Sequence, residues 1–397
     1  MIERRVQLTL PHRVFFTDGV FDAGNETLVR ALTGTGESES RRRKVLVVIE
    51  EAVAHSQPGL LEAIPAWFAG TGKAWLLARE PLVIPGGESC KNDWPLVEKL
   101  WAVINEAGID RHSYVIAIGG GAVLDLVGFA SATAHRGIRH VRMPTTTLSQ
   151  GDGGVGVKNG VNFFNKKNWV GSFAVPWAVV NDHRFLTSLP DDDKRDGIIE
   201  AIKVSLIRDA AFYGELEAGA AALGALDDAL LRRIIRRSAE LHVEHICTGG
   251  DPFELGSARP LDFGHWVAHK IEPMSNFAIS HGKAVATGMA VDLLYAKLAG
   301  LLGAPDCDRI LTLIENAGFH LWHRELTARE PDGKLSVLRG LEDFREHLGG
   351  ELTITLVTAP GKAMEVHEMD GALVEAAISE LEVRSGAARE TAGCAGK

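Results

Sequence analysis

The sequence has few cysteines, and it lacks the long apolar runs and the excess of positive charge that mark several protein classes. Its four cysteines are scattered with no C-x-x-C pair, so reduced thiols are expected rather than a disulfide framework or a cysteine zinc site. It contains no run of about 18 apolar residues, so we expect no membrane-spanning helix. The net charge of −10 offers no general attraction to nucleic acid or to an anionic membrane.

What is present is the composition of an ordinary globular protein. The chain has 397 residues, of which 46% are hydrophobic and 24% are charged, and this length favours two domains over one. We expect no signal peptide, because the N-terminus runs straight into a pattern of alternating apolar residues. Together with the reduced cysteines, this predicts a cytoplasmic protein with no nucleic-acid or membrane partner.

The first half of the sequence alternates between strand and helix patterns. Val6–Leu10, Lys44–Ile49 and Tyr114–Ile118 are short apolar runs, and Pro95–Glu106 has helical periodicity. Apolar runs without polar alternation are typical of parallel strands that are covered on both faces. Residues 1–189 are therefore predicted to form an α/β nucleotide-binding domain.

The second half reads differently, because helical patterns follow one another with little strand signal between them. Asp227–His245 and Lys283–Leu301 are the longest of these, and Leu352–Val357 is the one late strand pattern. Residues 190–385 are therefore predicted to form a mainly α-helical metal- and substrate-binding domain. Residues 386–397 lack apolar periodicity, and they are predicted to be a disordered tail.

A glycine-rich turn follows the strand pattern of residues 114–118. Gly119, Gly120 and Gly121 lead directly into a helix pattern, where glycines and a helix N-terminus allow the backbone to approach a diphosphate. The spacing is not G-x-G-x-x-G, and a tight structural turn would explain the triplet equally well. Two other segments favour a dinucleotide: Glu50 ends an early strand, and hydroxyls including those of Thr145 and Thr146 follow a later one.

A carboxylate and several histidines form a candidate metal site. His265 and His269 lie four residues apart on one helix face, His281 precedes the next helix, and Glu200 shares a helix face with Lys203. A divalent cation could take one carboxylate and two imidazoles, with positions left for substrate oxygens. Spacing alone leaves open that the histidines are surface or capping residues and that Glu200 and Lys203 are an ordinary helix pair.

Ordered segments between residues 80 and 300 resemble the 3-dehydroquinate synthase family, the sugar-phosphate cyclases. They are Pro-Gly-Gly-Glu-Ser-Cys-Lys at 85–91, the glycine turn through Asp125, Arg136-Gly137, residues 144–158, residues 167–176, Glu200-x-x-Lys203, Asp262-Phe-Gly-His265-x-x-x-His269, and residues 281–289. Their order and spacing match the family's signature. The resemblance implies a dehydroquinate synthase-like fold, with an α/β N-terminal domain that binds NAD and a helical C-terminal domain, and it implies a homodimer.

The resemblance also implies a role for each matched residue. The metal ligands would be Glu200, His265 and His281 for a zinc or cobalt ion, which makes His269 a substrate-site residue. Catalytic roles would fall on Lys203, His269, Asp152 and Lys158, and substrate binding on Arg136, Asn168, Lys167, Asp262 and Arg259. NAD would be bound by Glu50, Glu88, Lys91, Gly119, Gly120, Gly121, Asp125, Thr145 and Thr146.

The implied reaction turns a heptulose 7-phosphate into a keto-carbocycle. NAD+ would oxidise a ring hydroxyl, phosphate would leave by elimination, the hydride would return, and an aldol step would close the carbocycle. This is a carbon–oxygen lyase that needs NAD and a metal but does not consume NAD. Its small-molecule partner is a sugar phosphate, and the pathway class is cyclitol biosynthesis.

The sequence departs from authentic dehydroquinate synthases near the substrate. Asp262 replaces an asparagine, Glu244 stands at the spacing of a lysine, and Ala258 at that of an arginine, with Arg259 beside it. Fewer cations suit a substrate without a carboxylate, so we expect sedoheptulose 7-phosphate, which valiolone-type relatives use. An authentic synthase that acts on 3-deoxy-arabino-heptulosonate 7-phosphate, an NAD- and metal-dependent polyol dehydrogenase, and a non-catalytic sensor are the alternatives.

Overall fold

The computed structural model describes residues 1–4, 6–33, 43–71, 74–164, 166–253, 260–347 and 350–394. The chain divides into two compact units, and each is described by itself. The first unit comprises residues 1–190 together with 242–253, and the second comprises the described parts of 191–241 and 254–397. The chain first passes from one unit to the other after Pro190, one residue beyond the predicted domain boundary. Segment 242–253 was assigned to the second domain by the prediction, but it packs with the first unit.

The first unit is built on a parallel sheet. Its strands are β1 (Val14–Thr17), β2 (Arg43–Glu50), β3 (Trp75–Leu77), β4 (Leu82–Ile84), β5 (Tyr114–Gly119), β6 (Arg139–Pro144) and β9 (Ala178–Asp182), and β7 (Lys158–Phe163) pairs separately with β8 (Lys166–Phe173) as an antiparallel hairpin. The sheet order is β1-β9-β6-β5-β2-β3, with β4 also paired to β2. Every pairing within this sheet is parallel.

The alternation of side chains explains why β5 is a central strand. Val115 and Ala117 enter the hydrophobic cluster on one face, and Tyr114, Ile116 and Ile118 enter the cluster on the other. Both faces are covered by helices, as expected for parallel strands. The α-helices of the described part of this unit are α1 (Thr27–Leu32), α2 (Glu51–Ser56), α3 (Leu60–Gly70), α4 (Trp94–Glu106), α5 (Gly121–Thr133) and α6 (Thr147–Gly151), together with the last turns of a helix that begins in the second unit.

The second unit is mainly helical and surrounds one hydrophobic cluster. Almost every residue of α12 from Gly282 to Ala296 is buried, which is typical of a helix with protein on all sides. The elements are α7 (Asp191–Arg208), α8 (Ala210–Ala218), α9 (Ala220–Gly224), α10 (Asp228–Thr248, whose last turns belong to the first unit), α11 (His265–Met274), α12 (His281–Leu298), α13 (Ala304–Asn316), α14 (Arg339–His347), β10 (Ile354–Ala359), β11 (Lys362–Val366) and α15 (Gly371–Cys394).

The predicted fold class is confirmed: a parallel α/β N-terminal part precedes a helical C-terminal part. Two local predictions are wrong. Val6–Leu10 forms no strand and pairs with no part of the sheet, whose first strand along the chain is β1. Val6 is 95% exposed. The tail was predicted to be disordered from residue 386, but α15 continues to Cys394. Its earlier turns pack on the core through Val374, Ile378 and Leu381, and extending an existing helix costs little.

Residues 395–397 of the predicted tail lie outside the described residues. Among the residues that the structure describes, we find no helix that is both long and apolar enough to cross a membrane.

Candidate functional site

Three helices of the second unit bring one carboxylate and two imidazoles together. Glu200 lies on α7, His265 is the first residue of α11, and His281 is the first residue of α12. One donor atom from each lies within 4.8 Å of the others. The side chain of Glu200 is 2% exposed and that of His281 is 32% exposed. Glu200 and His265 are therefore buried, and the set is open only on the side of His281, as a catalytic metal site requires.

Both imidazoles are oriented by a hydrogen bond at Nδ1. His265 Nδ1 lies 3.1 Å from the carbonyl oxygen of Phe263, and His281 Nδ1 lies 3.2 Å from Oε1 of Glu272. Because a carbonyl and a carboxylate accept, both Nδ1 atoms donate, which leaves Nε2 as the ligand atom. His281 Nε2 lies 3.9 Å from Glu200 Oε1, so the donor set fits a divalent metal such as zinc or cobalt.

Burial keeps the His265 ring neutral, the form in which imidazole binds a metal. The pKa of His265 lies well below its usual value, first because of burial and then because of the charges of Lys203, His269 and His281. Lys203 itself is buried one turn beyond Glu200, and its ammonium contacts the Glu200 carboxylate.

Close backbone approach fixes the helices that carry the ligands. A Cβ on Gly282 would lie 2.4 Å from Oδ1 of Asp196, so glycine lets α12 begin against α7. Ser280 Oγ also donates to Asp196 Oδ1 at 3.1 Å. Burial raises the pKa of Asp196 to about 6, so this carboxyl is mostly ionised at neutral pH and becomes protonated as the pH falls below 6.

A second contact fixes the start of α11. Gly264 caps this helix with a positive φ of 79°, and a Cβ on Gly288 would lie 1.9 Å from the Gly264 carbonyl oxygen. Asp292 accepts hydrogen bonds from Gly264 N at 3.0 Å and from Trp266 Nε1 at 2.8 Å. The two glycines and Asp292 thus hold His265 in place at the first position of α11.

The remaining predicted residues of the second unit lie around this set. His269 is exposed, and its ring centroid lies 5.4 Å from that of His265 and 6.3 Å from that of His281. Asp262 is half-buried at the end of a short 3-10 helix that precedes Phe263. Arg259 lies outside the described residues.

The glycine turn of the first unit contacts the predicted acid. Gly120 N donates to Glu50 Oε2 at 2.7 Å, and a Cβ on Gly119 would lie 2.9 Å from the same oxygen. Thr145 N donates to the Gly119 carbonyl at 3.0 Å, and Thr146 caps α6 by accepting from Ser149 N. The structure therefore brings Glu50, the turn and both threonines together, and Gly121 begins α5.

A second polar cluster joins residues that were predicted for different ligands. Lys91 Nζ lies 2.9 Å from Asp125 Oδ2 and 3.8 Å from Glu88 Oε1, and it also donates to Asn168 Oδ1. Burial alone would lower the pKa of Lys91, but Asp125 and Glu88 raise it above its usual value. Asn162 accepts from Asn168 N at 2.9 Å and donates to Glu88 at 3.1 Å. Residues predicted to bind NAD and a residue predicted to bind the substrate thus meet in one hydrogen-bonded network.

A glycine-rich loop, here called the 152–158 loop, carries Asp152 and Lys158. Arg142 is fully buried and donates to the carbonyls of Gly156 at 3.0 Å and of Lys158 at 2.6 Å. His12 Nε2 lies 2.7 Å from the carbonyl of Val155. The Lys158 side chain is exposed, so the loop is held by its backbone.

Two other predicted substrate residues lie at the surface of the first unit. Arg136 is exposed and has a positive φ of 63°, and Lys167 is half-exposed on β8.

The sequence interpretation missed four residues that support these sites: Glu272, Asp292, Arg142 and His242. Glu272 follows His265 by seven residues on α11, so helical spacing predicts it on the same face. Asp292, Arg142 and His242 carry no such local signal, because each contacts residues distant in sequence. His242 Nδ1 lies 2.9 Å from Asp152 Oδ1.

Family comparison agrees with this architecture. The model of the 3-dehydroquinate synthase N-terminal domain matches residues 81–196, and that of the C-terminal domain matches residues 197–336. The two matches together span well over half of the chain. They include the glycine turn of the parallel α/β unit and the carboxylate–imidazole set of the helical unit, and they place the chain among the sugar-phosphate cyclases. The chain belongs to the 3-dehydroquinate synthase family.

Two curated relatives cover most of the chain. It is 33% identical to 2-epi-5-epi-valiolone synthase of Streptomyces glaucescens over 372 residues, which is 94% of this chain and 90% of the relative. It is 37% identical to 3-dehydroquinate synthase of Azotobacter vinelandii over 330 residues, which is 81% of this chain and 83% of the relative.

Solved structures show the same fold. The 2-epi-5-epi-valiolone synthase of Streptomyces hygroscopicus subsp. jinggangensis 5008, solved with NAD+ and Zn2+ bound, matches with a TM-score of 0.83 and 27% identity, over 96% of this chain and 100% of that one. A 2-deoxy-scyllo-inosose synthase complexed with carbaglucose-6-phosphate, NAD+ and Co2+ matches with a TM-score of 0.70 at 20% identity, over 92% and 96%.

Proposed function

We propose that this sugar-phosphate cyclase converts a heptulose 7-phosphate into a keto-carbocycle with loss of inorganic phosphate, using NAD and one divalent metal ion. The observation that carries the proposal is the oriented donor set of Glu200, His265 and His281, with Lys203 against its carboxylate. The valiolone synthase structure with NAD+ and Zn2+ bound supports the same pair of cofactors. The reaction is a carbon–oxygen elimination, so the chain acts as a lyase.

Glu200, His265 and His281 would hold the metal, and the glycine turn with Glu50, Thr145 and Thr146 would bind NAD. When bound, the metal polarises substrate oxygens and NAD+ takes up and returns one hydride. The chain's own residues supply the other functions. Lys203 Nζ is buried beside the Glu200 carboxylate, where it can exchange a proton with a substrate hydroxyl without competition from bulk water.

Other polar side chains would transfer protons and bind the phosphate group. His269 lies beside both ligand histidines and would pass protons at the ring oxygens, and Asp152 would orient a hydroxyl. Lys158, Lys167, Arg136 and Asn168 would bind the phosphate group. Asn168 already accepts from buried Lys91, so its amide is held in one orientation before the phosphate arrives.

The substrate that suits this chain is sedoheptulose 7-phosphate. Half-buried Asp262 lies three residues before the ligand His265, and a carboxylate on the substrate near it would be repelled, at a cost of about a few kcal/mol in a poorly solvated site. The second candidate is 3-deoxy-arabino-heptulosonate 7-phosphate, the substrate of an authentic synthase. The 37% identity to a 3-dehydroquinate synthase favours that candidate.

The deciding experiment is incubation of the purified chain with NAD+ and Zn2+ or Co2+ and each heptulose phosphate in separate reactions. We expect inorganic phosphate and a cyclic ketone from sedoheptulose 7-phosphate, with no net NADH. Release from the carboxylated substrate alone would reassign the chain as an authentic synthase.

The same assay separates the two other readings. A polyol dehydrogenase would release no phosphate and would accumulate NADH in proportion to polyol oxidised. A non-catalytic sensor would bind NAD or a sugar phosphate without turning either over, although a binder has no need of a metal set with an adjacent lysine.

A further inference from the structure

Side chains from other parts of the sequence help to hold the 152–158 loop. Arg142 on β6 and His12 near the N-terminus both donate to its backbone carbonyls. His242 on α10 is different, because it contacts a loop side chain, that of Asp152. The contacts of Arg142 and His12 therefore fix the path of the loop, and the contact of His242 fixes the direction of a functional group.

The geometry of the His242–Asp152 pair is that of a good hydrogen bond. Nδ1 of His242 lies 2.9 Å from Oδ1 of Asp152, and the two side chains are only 15% and 22% exposed. The other ring nitrogen, Nε2, lies 3.6 Å from the place where a Cβ on Gly156 would be. The imidazole thus packs along the loop while its Nδ1 donates to the carboxylate.

Asp152 gains from such a partner because of its position in the chain. It directly follows α6 and has an irregular backbone, with φ −136° and ψ −92°, so no helix or strand fixes its side-chain rotamer. A carboxylate that acts on a substrate hydroxyl must be oriented before the substrate binds, since otherwise ordering it opposes the reaction.

We propose that His242 is a positioning residue that orients the Asp152 carboxylate for its role in the cyclase reaction. The inference rests on the proposed function, because that is what assigns Asp152 a substrate contact. His242 acts through Asp152 and is not itself assigned to the substrate. It also places a nitrogen donor within Ser238–Asp251, a stretch that contains neither lysine nor arginine.

Three substitutions test this with matched shapes. In His242→Asn the amide nitrogen takes the place of Nδ1 and can still donate to Asp152. In His242→Gln the nitrogen lies where Nε2 was, and His242→Leu has no donor. We expect Leu and Gln to lower kcat by roughly 10- to 100-fold, with the KM for NAD+ unchanged, and Asn to restore most of the activity.

A double substitution separates positioning from a merely structural role. In an Asp152→Asn background, His242→Leu should cause little further loss, because the group that it orients has gone. His245→Leu, a histidine of the same helix, is the control and should leave kcat unchanged. Equal activity of His242→Leu and wild type, failure of Asn to exceed Leu, or an undiminished loss in the Asp152→Asn background would each overturn the inference.

A measurement without turnover keeps the two proposals distinguishable. If the wild-type chain released phosphate from neither heptulose phosphate, the proposed function would fail, while the pair could still be examined by nitrogen NMR of labelled histidine. The signal lost in His242→Asn identifies the residue. We expect its Nδ1 to be protonated and to shift in Asp152→Asn, and an unchanged Nδ1 signal would overturn the inference.

Discussion

The proposed metal centre of the second unit and the 152–158 loop of the first unit reach their geometry by different means. Glu200, His265 and His281 stand on buried helices whose spacing depends on glycines that allow backbone contact. The loop has no regular structure between α6 and β7, and side-chain donors such as Arg142 hold it. An added methyl group should therefore damage the first site, and a lost donor should damage the second.

The largest effect is expected where the metal centre loses its carboxylate. Glu200→Ala should abolish metal retention and phosphate release while NAD+ still binds, because two imidazoles alone hold a divalent ion weakly. Metal content by mass spectrometry and NAD+ affinity by calorimetry provide the check. Glu342→Ala, an exposed glutamate of α14, is the control, and full turnover by Glu200→Ala would remove the assigned site.

A methyl group added where α12 contacts the start of α11 tests whether the proposed metal centre depends on close backbone approach. In Gly288→Ala the new Cβ would lie 1.9 Å from the Gly264 carbonyl, so α11 must move away from α12. We expect a loss of about 1–3 kcal/mol in unfolding free energy together with weaker metal binding. Gly214→Ala on α8, with no atom within 4 Å of the new Cβ, should gain roughly 0.5–1 kcal/mol instead. Similar melting temperatures for both variants would contradict the steric account.

Removing the hydrogen-bond donor Arg142 tests whether side-chain donors hold the 152–158 loop. Arg142→Met keeps much of the side-chain volume but leaves carbonyls of the loop unsatisfied, at a cost of about 1–3 kcal/mol. We expect a raised KM for the sugar phosphate and an unchanged metal content. Steady-state kinetics and metal analysis measure these two quantities, and thermal unfolding measures the loss of stability. A loss of metal equal to that in Gly288→Ala would show that the two regions do not differ as stated.

A smaller effect is expected when the carboxylate of Glu272, which accepts a hydrogen bond from His281, loses its charge. Glu272→Gln keeps the shape of the side chain but removes the charge that His281 Nδ1 faces at 3.2 Å. Metal affinity should fall by roughly 10- to 100-fold, which competition with a chelating dye can measure. Unaltered affinity would show that Glu272 does not orient His281.

The smallest effect is expected at Glu244, which stands at the spacing of a lysine in authentic dehydroquinate synthases. Its side chain is exposed on α10. His242, two residues earlier on the same helix, lies on a different face and contacts Asp152. Glu244→Gln should leave the ratio of kcat/KM for the two heptulose phosphates unchanged. A clear change in that ratio would return Glu244 to the substrate pocket.

Much of the fold could be predicted from local pattern. β2 and β5 contain continuous apolar runs, and their alternate side chains enter two separate cores, so the α/β prediction needed no information from distant parts of the sequence. Val6–Leu10 alternates apolar and polar residues, which also suits a strand, but it pairs with no strand. Pairing is a long-range property that the local pattern does not contain. The end of α15 was missed because weak periodicity does not stop a helix that is already formed.

The sites divide in the same way. The spacing of His265 and His269 left the ligand set open, and the ordered family signature selected Glu200, His265 and His281, which the structure brings together. Glu272 could have been found from its place on the same helix face. Arg142 and His242 could not have been found in this way, because their partners lie in other parts of the chain and no local sequence pattern indicates such a contact.

The most direct test of the metal centre is X-ray diffraction at the zinc absorption edge from crystals of the chain grown with Zn2+. We predict one anomalous peak about 2.0–2.2 Å from a carboxylate oxygen of Glu200 and from Nε2 of His265 and His281. A peak bound through other residues or through Nδ1, or no peak within reach of these three side chains, would contradict the account.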